Sequence, residues 1–203
     1  KAPAKLGFKR ARKRRKKDLE QCGQMNLFAA NKGRVLHLPS RLSLFEQALR
    51  LDERGESNAA DFYQKAISAG DCLADAYCNL GILESKAGKI QKAFDFFTQS
   101  LKQDPRHPES HYNLANLYFD LENLNLAQHH YEIAAEIDAH FPNIFFNLGL
   151  VLAMREDFDA ALTALSKYRE LAPDEDGVKA DDLLTSLKRS LAAQRGLRNE
   201  KLS

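Results

Sequence analysis

Apolar residues recur at spacings of three and four along most of this chain, which is the period of an amphipathic helix. In residues 75–87 the apolar positions follow this spacing, and Gly88 comes directly after them. Residues 90–101 repeat the pattern, and Pro105 follows. Glycine favours helix ends, and proline lacks the N–H that a helix interior requires. The pattern therefore predicts two helices joined by a short turn.

This helical hairpin repeats along the chain with a 34-residue period. Leu80-Gly81, Leu114-Ala115 and Leu148-Gly149 mark the period. Three more columns keep the register, and they are Asn79, Asn113 and Asn147; Ala93, Ala127 and Ala161; and Phe97, Tyr131 and Leu165. Extrapolation by one more period towards the N-terminus reaches Ala59 and Tyr63, which indicates a fourth, degenerate copy. The sequence predicts an all-α array of hairpins.

Within one copy the pattern resembles that of the tetratricopeptide repeat (TPR) family, at Tyr77, Leu80-Gly81, Gly88, Ala93, Phe97 and Pro105. The resemblance implies a right-handed solenoid in which the first helix of each pair lines a concave face. A degenerate repeat is predicted at 41–73, and full repeats at 74–107, 108–141 and 142–175. Because the end of a stack must be covered, the apolar stripe Val178, Leu183, Leu184, Leu187 and Leu191 predicts a C-terminal capping helix at 177–195.

The formal net charge of +2 conceals a strong asymmetry. Residues 1–17 contain ten Lys and Arg and no acid, whereas the rest of the chain holds 20 bases and all 28 acids. Such a segment cannot bury enough apolar surface to fold alone, so 1–17 is predicted to be a disordered basic tail, followed by a linker at 18–40. The candidate polyanion-binding residues are Lys9, Arg10, Arg12, Lys13, Arg14, Arg15, Lys16 and Lys17. Nucleic-acid contact, nuclear import, attraction to anionic lipid and docking on the chain's own acidic body all stay open.

Signals of catalysis are absent from the sequence, which has no Gly-rich phosphate loop, Gly-X-Ser-X-Gly, His-Glu-X-X-His or Cys-X-X-Cys motif. His107 and His111 are four residues apart, but His107 stands between two prolines, and a metal site is not favoured. Cys22, Cys72 and Cys78 lack metal-ligand spacing, and we expect free thiols in a reducing compartment. No catalytic, cofactor or metal site is predicted. The expected location is cytoplasmic, or nuclear in a eukaryote; because the chain begins at Lys1, a removed upstream segment stays open.

The asparagine column carries the functional hypothesis. Asparagine costs up to about 0.7 kcal/mol relative to alanine within a helix, yet it recurs in all three clear repeats. A similar column in O-linked N-acetylglucosamine transferases holds the backbone of an extended peptide, so the resemblance implies a peptide-binding groove; the alternative is inheritance by duplication. Helical spacing adds the residues one before and three after each asparagine. The predicted groove comprises Asn79, Asn113, Asn147, Cys78, Tyr112, Phe146, Ile82, Asn116 and Leu150.

The sequence therefore favours a non-catalytic adaptor that binds a peptide or an unstructured protein segment in the concave groove. On the predicted inner face Lys86 is the single base, which disfavours an acidic C-terminal ligand. The alternative is a nucleic-acid-associated regulator that uses the basic tail while the repeats recruit partners. The identity of the partner and the oligomeric state are not indicated by the sequence.

Overall fold

The computed structural model describes residues 5–12, 42–172 and 174–200. The chain divides into two compact units. The N-terminal unit is Lys9–Ser110, and the C-terminal unit combines Lys1–Phe8 with His111–Ser203. Within the described ranges every regular element is an α-helix. The predicted all-α repeat fold is confirmed.

Four helices and the start of a fifth build the N-terminal unit. They are α1 (Leu44–Glu53), α2 (Ala59–Ser68), α3 (Leu73–Lys86), α4 (Ile90–Gln103) and the first residues of α5 (Pro108–Asp120). α1 begins at a capping box, in which the Ser43 hydroxyl and the Glu46 carboxylate each accept the other residue's backbone N–H. α2 packs against both α1 and α3, and α3 packs against α4. Phe45, Tyr63 and Leu80 are buried at the centre of these contacts.

The small residues of the repeat pattern lie where the two helices of a hairpin approach closely. A methyl group added to Gly81 in α3 would lie 2.7 Å from the Phe97 ring in α4. A methyl group on Gly149 would lie 2.6 Å from the Leu165 side chain. Since non-bonded carbon atoms prefer separations of about 3.5–4.0 Å, neither position accepts a larger residue without displacement. Gly88 has a different function, because it ends its helix with φ of +75°.

The C-terminal unit continues α5 and adds α6 (Leu124–Ile137), α7 (Pro142–Met154), α8 (Phe158–Leu171) and α9 (Asp174–Glu200). α7 packs against α6 and α8, and α9 packs against α8. Leu187 of α9 is buried, but Val178 is 59% exposed, so the predicted apolar stripe is wrong at its first position. Nine residues of helix turn through about two and a half turns, which places Val178 opposite Leu187. In the described part of the chain no helix is both long and apolar enough to cross a membrane.

Residues 5–12 are an extended segment with defined contacts. For these residues the structure differs from the predicted disordered tail, because their backbone pairs with buried asparagines and three of their charged side chains pair with acids of the repeats. Residues 1–4 and 13–17 of that predicted tail, and the predicted linker at 18–40, lie outside the described residues.

Candidate peptide-binding site

In the N-terminal unit, the buried Asn79 side chain pairs with the backbone of Ala11. The Ala11 N–H donates to Asn79 Oδ1 at 2.8 Å, and Asn79 Nδ2 donates to the Ala11 carbonyl at 3.0 Å. A carboxamide carries both an acceptor and a donor, so it satisfies both polar groups of one extended residue whatever side chain that residue has. Asn79, in the middle of α3, thus binds the backbone of the segment that contains Ala11.

Tyr63 links this amide to a carboxylate. Asn79 Nδ2 donates to the Tyr63 hydroxyl at 3.1 Å, and that hydroxyl donates to Asp52 Oδ2 at 3.3 Å. Burial, reinforced by the negative charge of Asp52, raises the pKa of Tyr63 well above its usual value. The hydroxyl therefore stays protonated and keeps its donor proton for Asp52. Asp52, Tyr63 and Asn79 are referred to below as the N-terminal module.

Asp52 forms an ion pair with the guanidinium of Arg10. Arg10 Nε and Nη2 donate to the two carboxylate oxygens at 2.7 Å each, and Nη2 also donates to the Asp52 carbonyl at 3.1 Å. The Asp52 side chain is 3% exposed and lies in the last turn of α1, where the helix dipole disfavours an anion. A buried carboxylate at such a position needs a cation, and the planar guanidinium matches its two oxygens.

In the C-terminal unit, Asn147 holds the backbone of Leu6 in the same way. The Leu6 N–H donates to Asn147 Oδ1 at 2.7 Å, and Asn147 Nδ2 lies 2.9 Å from the Leu6 carbonyl. The Tyr112 hydroxyl adds a donor 3.0 Å from the Leu6 carbonyl and 2.9 Å from that of Gly7. Burial raises the pKa of Tyr112 to about 12, so this hydroxyl is protonated at neutral pH.

Asn116 and Tyr131 complete the polar network around Asn147. Asn147 Nδ2 lies 2.9 Å from Asn116 Oδ1, which also accepts the hydroxyl of Tyr131. Burial raises the pKa of Tyr131 well above its usual value. Lys5 Nζ pairs with Asp120 at 3.3 Å and lies over the Phe119 ring, 6.0 Å from its centroid. Asp120, Tyr131 and Asn147 are referred to below as the C-terminal module.

The nine predicted groove residues are all buried. Asn79 in the N-terminal unit, and Asn147, Tyr112 and Asn116 in the C-terminal unit, form the networks around residues 5–12. Phe146 packs against the Tyr168 ring, with 5.0 Å between centroids, so it belongs to the hairpin interior. The remaining predicted residues are Cys78, Ile82, Asn113 and Leu150, and they too are enclosed.

The predicted polyanion-binding residues divide into two groups. Arg10 is paired with Asp52, and Arg12 Nη2 lies 3.1 Å from Glu53 Oε1. Lys9 also lies in the described segment. The others, Lys13, Arg14, Arg15, Lys16 and Lys17, lie outside the described residues. Two of the described bases are thus engaged with acids of the same chain.

His107 serves the packing of the repeats. It is buried, its Nδ1 accepts the N–H of Ser110 at 3.1 Å, and its Nε2 lies 3.0 Å from Asp75 Oδ1. These contacts tie the start of α5 to α3. His111 instead stacks on His130, with 5.4 Å between ring centroids. Across the residues that the structure describes, no three His, Cys, Asp or Glu side chains form a group that could hold a metal ion.

The nine predicted groove residues do not include the aspartates and tyrosines of the two modules. Asp52 and Tyr63 lie in the degenerate first copy, in which Gly55 stands one residue out of step with Gly88 of the next copy. A signal was present at twice the repeat period. Asp52 and Tyr63 stand two repeat periods before Asp120 and Tyr131, as Asn79 stands before Asn147.

Two tetratricopeptide repeat family models match the chain, over residues 112–176 and 85–129. Together with the fold and the repeat pattern, these matches place the chain among the tetratricopeptide repeat proteins, which confirms the resemblance. It is similar to the Drosophila melanogaster protein O-mannosyl-transferase Tmtc3, with 28% identity over 129 residues, and to the Hordeum vulgare probable UDP-N-acetylglucosamine–peptide N-acetylglucosaminyltransferase SPINDLY, with 29% identity over 116 residues. The matched stretches cover 63% and 54% of this chain but only 14% and 12% of those relatives.

Solved structures share the fold. A MamA structure has 18% identity and a TM-score of 0.61, covering 78% of this chain and 84% of its own. The first TPR of Spaghetti (RPAP3), solved with the HSP90 peptide SRMEEVD, has 22% identity and a TM-score of 0.55, covering 59% of this chain and 96% of its own. At these identities the likeness concerns the fold alone.

Proposed function

We propose that this chain is a non-catalytic adaptor that binds an extended segment of protein by pairing its backbone with Asn79 and Asn147. The observation that carries the proposal is the double hydrogen bond from each asparagine to a single residue, Ala11 or Leu6. Residues 5–12 supply the example of what such a segment looks like when bound.

The comparisons support a protein-binding use of this fold and leave the ligand open. The RPAP3 domain is a repeat structure solved with a peptide. That peptide, SRMEEVD, carries three acidic residues and one base, whereas residues 5–12 read KLGFKRAR, with four bases and no acid. Both module carboxylates face basic side chains. The chemistry around the asparagines therefore favours a basic segment over an acidic one.

The alternative function, nucleic-acid binding through the tail, gains no support from the contacts of the described residues. Arg10 is held by the buried Asp52, and Arg12 lies 3.1 Å from Glu53 in an exposed pair. A base that is already paired releases little free energy when it meets a phosphate, because the existing ion pair must first be broken. The adaptor is the function that the geometry supports best.

The proposal is tested by adding a fluorescent peptide of sequence KLGFKRAR to the full chain and measuring anisotropy. Because residues 5–12 compete from within the chain, the chain carries Arg10→Glu, which places a second anion beside Asp52 and weakens the internal segment. We expect saturable binding that falls by about tenfold or more when Asn79 and Asn147 are both changed to alanine.

The matched control for this titration is Asn58→Ala. Asn58 is exposed, and its side chain makes no capping hydrogen bond to α2. It should leave the affinity unchanged. Absence of saturable binding, or equal affinity in the double asparagine variant, would contradict the adaptor proposal.

A further inference from the structure

The two sets of residues that hold the extended segment are copies of one arrangement. Asp, Tyr and Asn stand at 52, 63 and 79 in one module and at 120, 131 and 147 in the other, so every member is displaced by two repeat periods. The copy between them has Lys86, Phe97 and Asn113 at the corresponding positions, without the carboxylate and the hydroxyl. The complete arrangement thus has a two-repeat period.

The segment that fills the modules repeats as well. The N-terminal module takes Arg10 on its aspartate and the backbone of Ala11 on its asparagine. The C-terminal module takes Lys5 on its aspartate and the backbone of Leu6 on its asparagine. In both, a basic residue stands immediately before the aliphatic residue whose backbone is held. Each module therefore contacts a dipeptide, and the order of the two residues is the same.

The chemistry of a module explains this order. The aspartate accepts the cationic side chain, and the asparagine satisfies both backbone groups of the following residue, so the two contacts together require a basic residue followed by an extended one. The N-terminal module restricts the second residue further. Ala11 is 0% exposed, and a larger side chain would have to displace its neighbours. Leu6 is only partly buried, and a larger aliphatic side chain fits there.

The geometry points to a paired reader of basic–aliphatic dipeptides. This inference rests on the proposed adaptor function. The partner is an extended basic segment in which Arg or Lys precedes an aliphatic residue. At the N-terminal module the pair is Arg followed by an alanine-sized residue. Residues 5–12 are the example of this class that the chain carries itself, and a partner of the same chemistry competes with them for the modules.

The first test measures the contacts of the N-terminal module within the full chain and needs no added ligand. Amide hydrogen exchange of Ala11, followed by NMR, reports whether its N–H is held by Asn79. We expect Asp52→Asn to accelerate this exchange by about tenfold or more, because the charge-assisted pair with Arg10 is lost. The control is Glu53→Gln, which also removes one negative charge, from the residue next to Asp52. Glu53 pairs with Arg12 at the exposed surface, so we expect the Ala11 exchange rate to change by less than about twofold. Unchanged Ala11 exchange in Asp52→Asn, or equal effects of both variants, would overturn the proposal.

A second pair of variants leaves the repeats untouched, so it stays informative if Asp52→Asn folds poorly. Arg10→Gln should accelerate Ala11 exchange, whereas Arg12→Gln, a change of the same kind at an exposed side chain, should not. Arg10→Lys should be intermediate, since it keeps the charge and loses the two-pronged contact. Equal Ala11 exchange in Arg10→Gln and Arg12→Gln would contradict recognition of the basic residue by the N-terminal module.

The third test uses free peptides with the Arg10→Glu chain. Relative to KLGFKRAR, we expect peptides with glutamine in place of the residue-10 arginine, or tryptophan in place of the residue-11 alanine, to bind at least about tenfold more weakly. A peptide with glutamine in place of the residue-12 arginine should bind within about threefold. Comparable binding of all four peptides, or of SRMEEVD, would overturn the dipeptide reader and leave the adaptor standing. If no peptide binds while Ala11 exchange still depends on Asp52 and Arg10, the adaptor proposal fails and the reader stands as a contact within the chain.

Discussion

The two modules use the same three residue types but place them in different surroundings. In the N-terminal module the aspartate is 3% exposed and meets its arginine through two hydrogen bonds of 2.7 Å. In the C-terminal module the aspartate is 51% exposed and meets a lysine at 3.3 Å. A buried, two-pronged ion pair is far more sensitive to loss of one partner than an exposed one. The N-terminal module is thus built to select a charge, and the C-terminal module depends more on backbone contacts.

A single position accounts for much of this difference. Asn116 stands three residues after Asn113, and the position two repeat periods earlier is Ala48. In the C-terminal unit the Tyr131 hydroxyl donates to Asn116 Oδ1. Alanine offers no such acceptor, and in the N-terminal unit the tyrosine hydroxyl donates to Asp52 instead. The tyrosine therefore orients a carboxylate in one module and an amide in the other.

The largest expected difference comes from removing each aspartate's charge. Asp52→Asn should lower the free energy of unfolding by up to about 3 kcal/mol, because it breaks a buried ion pair and leaves the Arg10 guanidinium without its anion. Asp120→Asn should cost less than about 1 kcal/mol, since its carboxylate is half exposed. Urea denaturation of both full-length variants at neutral pH measures the two values. Equal costs would show that the modules do not differ in the way their burial indicates.

The hairpin crossings should instead respond alike in the two units. Gly81→Ala and Gly149→Ala each insert a methyl group that meets a side chain of the opposing helix, at 2.7 Å and 2.6 Å respectively. We expect each to destabilise its unit by about 1–3 kcal/mol, the usual cost of overpacking. Thermal melts followed by circular dichroism would measure this. Gly7→Ala is the control, because a methyl group added at Gly7 would have no neighbour within 4 Å. A neutral result at either crossing would mean that its hairpin relaxes without cost.

The 34-residue period singles out Gly81 and Gly149 because a small residue recurs at that position in each clear repeat, whereas it indicates less about the modules. The asparagine column identified Asn79 and Asn147, and the structure places Ala11 and Leu6 on them; binding of a separate peptide stays a prediction. Asp52 recurs only at twice the repeat period, as Asp120, and the repeat pattern does not encode the burial on which its importance depends. The basic segment is predicted to be a disordered tail, with docking on the chain's own body left open, because the acids and amides that it contacts are distant from it in sequence.

A smaller effect is expected from Asn116→Ala, which gives the C-terminal unit the residue found at the corresponding position of the N-terminal unit. The Tyr131 hydroxyl loses its acceptor, and an unsatisfied buried hydroxyl costs about 1–3 kcal/mol. Within the described structure the Asn116 Nδ2 atom is itself buried without a hydrogen-bond partner, so its removal offsets part of that cost. We expect a net loss of about 1 kcal/mol in urea denaturation. Faster amide exchange at Leu6 should accompany it, because Asn147 loses a neighbour that orients it.

An effect as small as that of Asn116→Ala is expected from a dependence on pH that belongs to the C-terminal unit. His130 stacks on both His111 and Tyr118, and the residue two repeat periods earlier is Phe62. Burial lowers the pKa of His130 from 6.5 to about 4, and the neighbouring His111 and His129 add to this effect. His130 therefore binds a proton near pH 6.5 in the unfolded chain but only near pH 4 in the folded chain. Stability is fully present above pH 6.5 and falls as the pH drops from 6.5 to about 4.

The size of this loss is expected to be about 1 kcal/mol, less than the pKa difference alone implies, because the His130 ring is partly exposed. His130→Phe keeps an aromatic ring in the stack and removes the titration. The measurement is urea denaturation of this variant and of the natural chain at pH 7 and pH 4.5, with the exposed His140→Gln as control. Carboxylates titrate in the same range in all three proteins, so the informative quantity is the difference between variants. His130→Phe should gain stability relative to the natural chain at pH 4.5 and not at pH 7, and an equal difference at both pH values would exclude His130 as the source.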